Sequence, residues 1–198
     1  MPFAYYARLS PSRQRTYRKS DAIAALALPP GSDAASHVDA VGAALSRDDP
    51  GEVRRACQRL IDALVTGYRV PPIVVRVLAR RPADSGGELH GLYEPEEDGK
   101  PARITVWMRT AQRERIVAFR TFLRTLIHEL CHHLDYELFA LPETFHTEGF
   151  YKRESTLVAA LVAQTATAEA TAAPRGAPAP PASDPPPAPR RSTHRRVP

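Results

Sequence analysis

Apolar side chains recur every three or four residues over a long stretch in the second half of the chain, and this period predicts an amphipathic helix. The stretch runs from about residue 115 to 139 and contains neither glycine nor proline. The residues expected to face the core are Ile116, Phe119, Leu123, Leu126, Ile127, Leu130, Leu134 and Leu138. Leu141-Pro142 follows and closes this helix, because helical geometry is disfavoured at the residue before a proline.

The same period, together with capping residues, predicts four further helices. They cover residues 22–26, 34–46, 50–66 and 147–165. Asp21 stands at the start of the first of these helices, and Thr147 is a candidate N-cap for the last. Pro50 fits the first turn of its helix, and Gly67 fits the position just after the end of the same helix.

Between residues 73 and 108 the pattern changes to short β-branched or alternating runs, which predict strands. The predicted strands cover residues 73–78, 89–93 and 103–108. We interpret the third as a candidate edge strand on which an extended substrate could pair, with Trp107 near a side-chain pocket. The alternative is that Trp107 belongs to the core. Three strands followed by a long helix predict an α+β fold in which a small sheet packs on that helix.

Composition divides the chain into three parts. Residues 1–33 form a basic N-terminal segment with a short helix, and residues 34–165 form the expected domain. Residues 166–198 pass into Ala/Thr and Ala/Pro sequence, with nine prolines among the last 25 residues. Such a segment buries too little apolar surface to offset its ordering entropy, so we expect a disordered tail.

The formal net charge of +5 is concentrated at the two ends of the chain. Residues 1–20 carry five basic side chains and no acid, and residues 174–198 carry five arginines and one aspartate. Basic ends can attract nucleic acid or an acidic partner, or they can simply keep the protein soluble. The sequence has no membrane-length apolar run, no secretory signal and only two distant cysteines, so we expect a cytoplasmic protein with no membrane partner.

The predicted long helix carries His128-Glu129-Leu130-Cys131-His132, an HExxH motif. Residues four apart share a helix face, so both imidazoles can bind one Zn²⁺ while Glu129 lies beside an open metal position. A chance match on an ordinary helix is the alternative. A catalytic zinc needs a third protein ligand; His146 is the first candidate and Glu154 the second.

The motif and its surroundings suggest roles for further side chains. Glu129 is the candidate general base of a peptide hydrolysis in which zinc activates water. Tyr151 or Tyr136 could stabilise the oxyanion, or could pack as ordinary aromatics. Asp135 is a candidate acceptor that orients a ligating imidazole, with a plain surface charge as the alternative. His133 faces away from the motif pair, so we place it outside the ligand set.

Residues 73–161 resemble the SprT-like (Spartan-type) zinc metallopeptidases, a gluzincin-like HExxH family, through the motif and through His146 followed by Gly149-Phe150. The resemblance implies a site with three histidines on one zinc ion per chain and Glu129 as base. It also implies a sheet placed before an active-site helix. The family's best-known substrates are proteins crosslinked to DNA, and the basic ends offer an electrostatic anchor for DNA.

Two hypotheses follow from these patterns. The first is a zinc metalloendopeptidase that hydrolyses a protein or peptide substrate, with zinc favoured over other metals because the ligands are histidines. The second is a non-catalytic, zinc-containing binding module that engages its partner, such as a nucleic acid, through the basic termini. Glu129 discriminates between them, because only the enzyme needs that carboxylate.

Overall fold

The computed structural model describes residues 3–84 and 87–172. A 3-10 helix at Ala4–Arg8 precedes three α-helices, five strands and two final helices in the chain. The first three helices are α1 (Pro11–Ala22), α2 (Ala34–Ser46) and α3 (Pro50–Tyr68). The strands are β1 (Val74–Arg80), β2 (Ala83–Asp84), β3 (Gly87–Glu88), β4 (Gly91–Glu94) and β5 (Arg103–Arg109). The final helices are α4 (Phe119–Glu137) and α5 (Glu148–Ala172). The predicted α+β class is therefore confirmed.

The main sheet has three strands in the order β1-β5-β4. β1 pairs with β5 in parallel, and β4 pairs with β5 antiparallel. The prediction that residues 103–108 form an edge strand is therefore wrong, because β5 has a neighbour on each side. Its side chains explain this position: Ile104 and Val106 are fully buried, and so is most of Trp107. Trp107 is core, as the alternative interpretation had it, and the edge next to α4 belongs to β4.

The helix ends differ from the predictions where packing or pairing competes with the local signal. Gly67 does not end α3, because Arg69 adopts the left-handed conformation instead, with φ 58°. Gly67 instead allows Pro29 to pack closely against α3, since a Cβ at residue 67 would lie 2.6 Å from the Pro29 side chain. α4 begins at Phe119 rather than near residue 115. Ile116 forms an antiparallel β-bridge with Arg109, which requires an extended backbone at this position.

The N-terminal helix lies earlier than predicted. Ser10 caps α1 by accepting from the Arg13 N–H, with proline in the first turn, and the helix ends at Ala22, where the sequence pattern placed its beginning. α1 packs against α5. Its end fits closely, because a Cβ at Gly149 would lie 2.6 Å from the carbonyl carbon of Asp21, and the Asp21 carboxylate accepts a 2.9 Å hydrogen bond from the Gly149 N–H.

The C-terminal helix α5 continues to Ala172, beyond the predicted boundary at residue 165. The remainder of the predicted tail, residues 173–198, lies outside the described residues. Among the helices that the structure describes, none combines the length and apolar character needed to cross a lipid bilayer. The functional side chains described next lie on α4, on α5 and on the segment between them.

Candidate metal centre

Three histidines from two parts of the chain converge beside the sheet. His128 and His132 lie one turn apart on α4, and His146 lies in the segment that leads to α5. The Nε2 atom of His146 is 3.0 Å from Nε2 of His128 and 3.1 Å from Nε2 of His132. The potential ligand atoms of all three lie within 4.8 Å of one another, a group that could hold a metal ion.

The outer nitrogens of the two α4 histidines are already occupied. His128 Nδ1 lies 2.8 Å from Glu154 Oε2, and a carboxylate can only accept, so this nitrogen carries the proton. His132 Nδ1 lies 2.8 Å from Thr144 Oγ1, whose own hydrogen goes to Asp135 at 2.7 Å, so this nitrogen also donates. The Nε2 atoms of His128 and His132 are therefore unprotonated, and the lone pair of each points into the cluster.

This arrangement fits a tetrahedral metal ion. At Zn–N distances of about 2.0–2.1 Å, tetrahedral geometry places ligand nitrogens about 3.3–3.4 Å apart, close to the spacing found here. The lone pairs of His128 and His132 would attract a cation placed among the three Nε2 atoms. Burial and the neighbouring imidazoles lower the pKa of His132 to about 3, which keeps it neutral and available as a ligand. The three-histidine set could therefore hold a metal ion.

Glu154 stands behind this cluster. Its Oε2 accepts from His128 and its Oε1 accepts from Arg124 Nη1 at 2.7 Å, so both oxygens have partners outside the ligand group. Only 3% of the Glu154 side chain is exposed. The carboxylate thus holds the ring of His128 in place, which is the role that second-layer carboxylates play at zinc sites.

Asp135 is a fully buried charge, so the surface-charge interpretation is wrong. It does not contact an imidazole directly; it reaches His132 through the Thr144 hydroxyl. Its other oxygen accepts from Arg153 Nη2 at 2.5 Å, and both side chains of this ion pair are completely inaccessible. Burial raises the pKa of Asp135, while the Arg153 guanidinium and the Thr144 hydroxyl act in the opposite direction.

Arg153 continues this network into the N-terminal helix. Its two terminal nitrogens donate to the Ser20 carbonyl at 2.9 Å, the Ser20 hydroxyl at 3.0 Å and the Ile23 carbonyl at 3.2 Å. The guanidinium also lies 4.8 Å from the ring centre of Phe150, a cation–π distance. Phe150 packs in turn against the motif histidines. A continuous set of buried contacts therefore joins α1, α5 and the candidate ligands.

Glu129 lies beside the histidines but makes no part of the ligand group. Its side chain is 6% exposed, and the backbone N–H of Tyr93 donates to it. Burial raises the pKa of Glu129 to about 7. The charge of His128 lowers this pKa by a smaller amount, and the charge of Glu154 raises it further. A carboxyl with a pKa near neutrality can both accept and return a proton near pH 7.

Gly91 of β4 creates the space for this carboxylate. A Cβ at residue 91 would lie 2.8 Å from Cδ of Glu129 and would overlap the carboxylate oxygens. The backbone of β4 therefore lies directly against the side chain of Glu129, at the unpaired edge of the sheet.

A cleft of about 670 Å³ contains the histidines and Glu129. β4 and the residues before it form one wall, and α4 forms the other together with residues of α5 and of the segment between the two helices. Tyr136 and Tyr151 both line the cleft, so the structure brings each oxyanion-stabilising candidate to the site. Tyr93, which sequence analysis did not single out, stacks with Tyr136 at a centroid distance of 6.0 Å. The role of the tyrosines beyond packing remains a prediction.

His133 lies outside the cluster, as predicted. Its Nε2 is 3.0 Å from the Pro71 carbonyl oxygen, and its Nδ1 is 3.1 Å from the Tyr93 hydroxyl. Both nitrogens are therefore engaged away from the three converging histidines. Cys131, between the two motif histidines, is completely buried.

The N-terminal segment contacts the third candidate ligand, His146, which remains exposed. The Tyr5 hydroxyl donates to the carbonyl oxygen of His146 at 3.0 Å. Arg13 forms a two-point contact with Glu143, one arm of which measures 2.8 Å. His146 and Glu143 both lie in the segment between α4 and α5, which we call the ligand loop (residues 138–147). Part of the basic N-terminal charge is thus used within the fold.

Comparisons of the chain with protein-family models, with curated proteins and with solved structures found no match.

Proposed function

We propose that the chain is a zinc-dependent metallopeptidase with His128, His132 and His146 as ligands and Glu129 as general base. One observation carries the proposal. Two histidines are held by their outer nitrogens so that unprotonated Nε2 atoms converge with that of the third, beside a buried glutamate that takes no part in the cluster. A purely structural metal site would have no use for that glutamate.

Each residue then has a defined task. Bound zinc would supply Lewis acidity, lowering the pKa of water and polarising a carbonyl. Glu129 accepts the proton of the attacking water and delivers it to the departing amine nitrogen. Glu129 would be ionised and able to accept a proton beside a bound cation, whose charge would act against the effect of burial on the Glu129 pKa. Tyr151, close to His146 and about two-fifths exposed, is the candidate donor to the oxyanion.

The walls of the cleft support a peptide substrate. Among the described strands β4 pairs with β5 alone, so its second edge is open to a further strand next to the histidines, although the Tyr93 N–H already donates to Glu129. An extended peptide can add to such an edge by backbone hydrogen bonds. We therefore propose a protein or peptide substrate that binds along β4, in place of the β5 edge that the sequence pattern suggested.

Metal analysis tests the ligand set. We expect close to one zinc ion per chain in the purified protein, and a loss of zinc in His146→Ala. Glu154→Ala should weaken zinc binding by about 10–100-fold without abolishing it, because the carboxylate supports a ligand and is not one itself. Zinc lost outright with Glu154→Ala and kept with His146→Ala would refute this assignment.

Peptide cleavage tests the reaction. Glu129→Gln should retain zinc and fold but lose cleavage of an unfolded protein substrate, since general-base catalysis contributes about 10²–10⁴-fold. Equal cleavage by the wild type and this variant would refute catalysis by Glu129. The alternative, a zinc-containing binding module, predicts no zinc-dependent cleavage by either protein.

A further inference from the structure

Arg124 lies one helical turn before His128 on α4, and both residues line the cleft. Among the described residues that line it, Arg124 is the only lysine or arginine. Two acidic residues of the cleft wall form ion pairs: Glu88 pairs with Arg81, and Glu154 pairs with both His128 and one nitrogen of Arg124. The cleft therefore presents one cationic group near the candidate metal centre.

The contacts of Arg124 fix one end of its guanidinium and expose the rest. Nη1 donates to Glu154 Oε1 at 2.7 Å and to Ser155 Oγ at 3.3 Å. The Arg124 side chain is 51% exposed, whereas that of Glu154 is 3% exposed. Within the described part of the chain, all hydrogen bonds of this guanidinium go through Nη1. A guanidinium held in this way presents its remaining N–H groups as a rigid donor pair, which suits a carboxylate.

The direction of β4 shows which part of a peptide would meet Arg124. Gly91 lies against Glu129, and two residues later the ring of Tyr93 lies 6.3 Å from that of His132 and 6.0 Å from that of Tyr136. β4 therefore advances in the same direction as α4. A peptide paired antiparallel to β4 runs the opposite way, toward the N-terminal end of α4.

The distance along the helix gives the position in the peptide. Four residues of helix span about 6 Å, and two residues of extended chain span about the same length. A peptide with its scissile carbonyl at the histidines thus places the first or second residue after the scissile bond beside Arg124.

We propose that Arg124 is a substrate-binding residue that recognises a carboxylate on the first or second residue after the scissile bond. The carboxylate can belong to an aspartate or glutamate side chain or to the C-terminus of the peptide. This inference rests on the proposed peptidase function, because it takes the position of the scissile bond from the metal centre.

A cleavage experiment tests the preference. The zinc-loaded full chain is incubated with a peptide library from a digested proteome, and the cleaved positions are read by mass spectrometry. We expect acidic residues or free C-termini to be favoured about tenfold at the first or second position after the cut, the effect of one charge-assisted hydrogen bond. Arg124→Gln should remove the preference. Arg120→Gln, an exposed arginine one turn earlier and outside the cleft lining, should keep it.

The preference ratio separates binding of the substrate from support of the metal site. If Arg124 acted only through Glu154, its replacement would lower zinc affinity and slow all peptides equally, and the ratio would stay constant. Such a result overturns the inference, as does a wild type without acidic preference. Arg124→Lys should recover part of the preference, since it restores the charge without the planar fork.

A binding experiment keeps the inference testable if no cleavage occurs. Fluorescently labelled pools of random hexapeptides, with glutamate or glutamine fixed at one position and with free or amidated C-termini, are titrated with zinc-loaded Glu129→Gln protein. Tighter binding of the glutamate pool indicates side-chain recognition, and tighter binding of the free-acid pool indicates recognition of the C-terminus. Either difference, lost with Arg124→Gln, supports the carboxylate site even if the peptidase proposal fails. Equal binding of all pools overturns the carboxylate site.

Discussion

Replacement of Glu129 by glutamine should stabilise the metal-free protein at neutral and alkaline pH but not at acidic pH. Burial raises the pKa of this carboxyl from 4.5 to about 7 in the fold. Between these values the folded state holds a proton that the unfolded state has released, so the free energy of unfolding falls as pH rises. Glutamine does not titrate, so Glu129→Gln avoids this loss. Its stability should match or trail that of the wild type at acidic pH and exceed it at alkaline pH.

The size of the effect follows from the two pKa values. At about 1.4 kcal/mol per pH unit, the difference between 4.5 and about 7 corresponds to about 3 kcal/mol. The carboxylate is only 6% exposed, so solvent screens little of this energy. Zinc must be absent, because its charge favours the ionised carboxylate and would mask the effect.

Urea unfolding in the presence of a chelator measures the difference. Wild type and Glu129→Gln are compared near pH 4.5 and near pH 8, and the histidines common to both cancel in the comparison. The advantage of the variant should grow by about 3 kcal/mol between the two conditions. Glu96→Gln, at an exposed position, serves as the matched control and should show no such growth. An advantage that is constant with pH would refute the account of Glu129 as a buried, proton-holding carboxyl.

Three further substitutions test the supports of the site. Gly91→Ala should displace the Glu129 carboxylate and lower the turnover number by about 10²-fold or more while zinc content stays constant, as measured by cleavage assays and elemental analysis. Thr144→Val removes the hydroxyl between Asp135 and its histidine, and should weaken zinc binding by about 10–100-fold in a chelator competition; unchanged affinity would contradict that link. Arg153→Met leaves Asp135 as an unpaired buried charge and should cost about 3–5 kcal/mol in urea unfolding; a loss below about 1 kcal/mol would contradict the buried ion pair.

Local patterns in the sequence were sufficient to predict the long elements and the motif. The period of apolar residues identifies α4, and the spacing of the motif alone places His128 and His132 on one face. His146 could be named as a candidate because histidine is a common zinc ligand and lies a short distance downstream. These features depend on residues close in sequence, which is why they can be found without a structure.

Features that depend on distant residues could not be predicted. Nothing near Thr144 or Arg153 indicates that they connect Asp135 to a candidate ligand and to α1. The alternation in β5 is compatible with either an edge or a central strand, and only its pairing with two partners decides between them. Gly91 carries no local signal at all, because its importance comes from a side chain on another element. A glycine in an edge strand that precedes an HExxH helix would be a useful signal to examine.

The contact between the N-terminal segment and the ligand loop joins residues that the ribosome makes at very different times. Tyr5 and its partner His146 are 141 positions apart. At about 5–20 residues per second, a ribosome needs about 7–30 s to make the chain between them. The HExxH helix is thus translated while the third histidine is still missing. A nascent chain that ends before residue 146 can therefore hold at most an incomplete metal centre, and the proposed proteolytic activity would appear only after the start of α5 has left the ribosome.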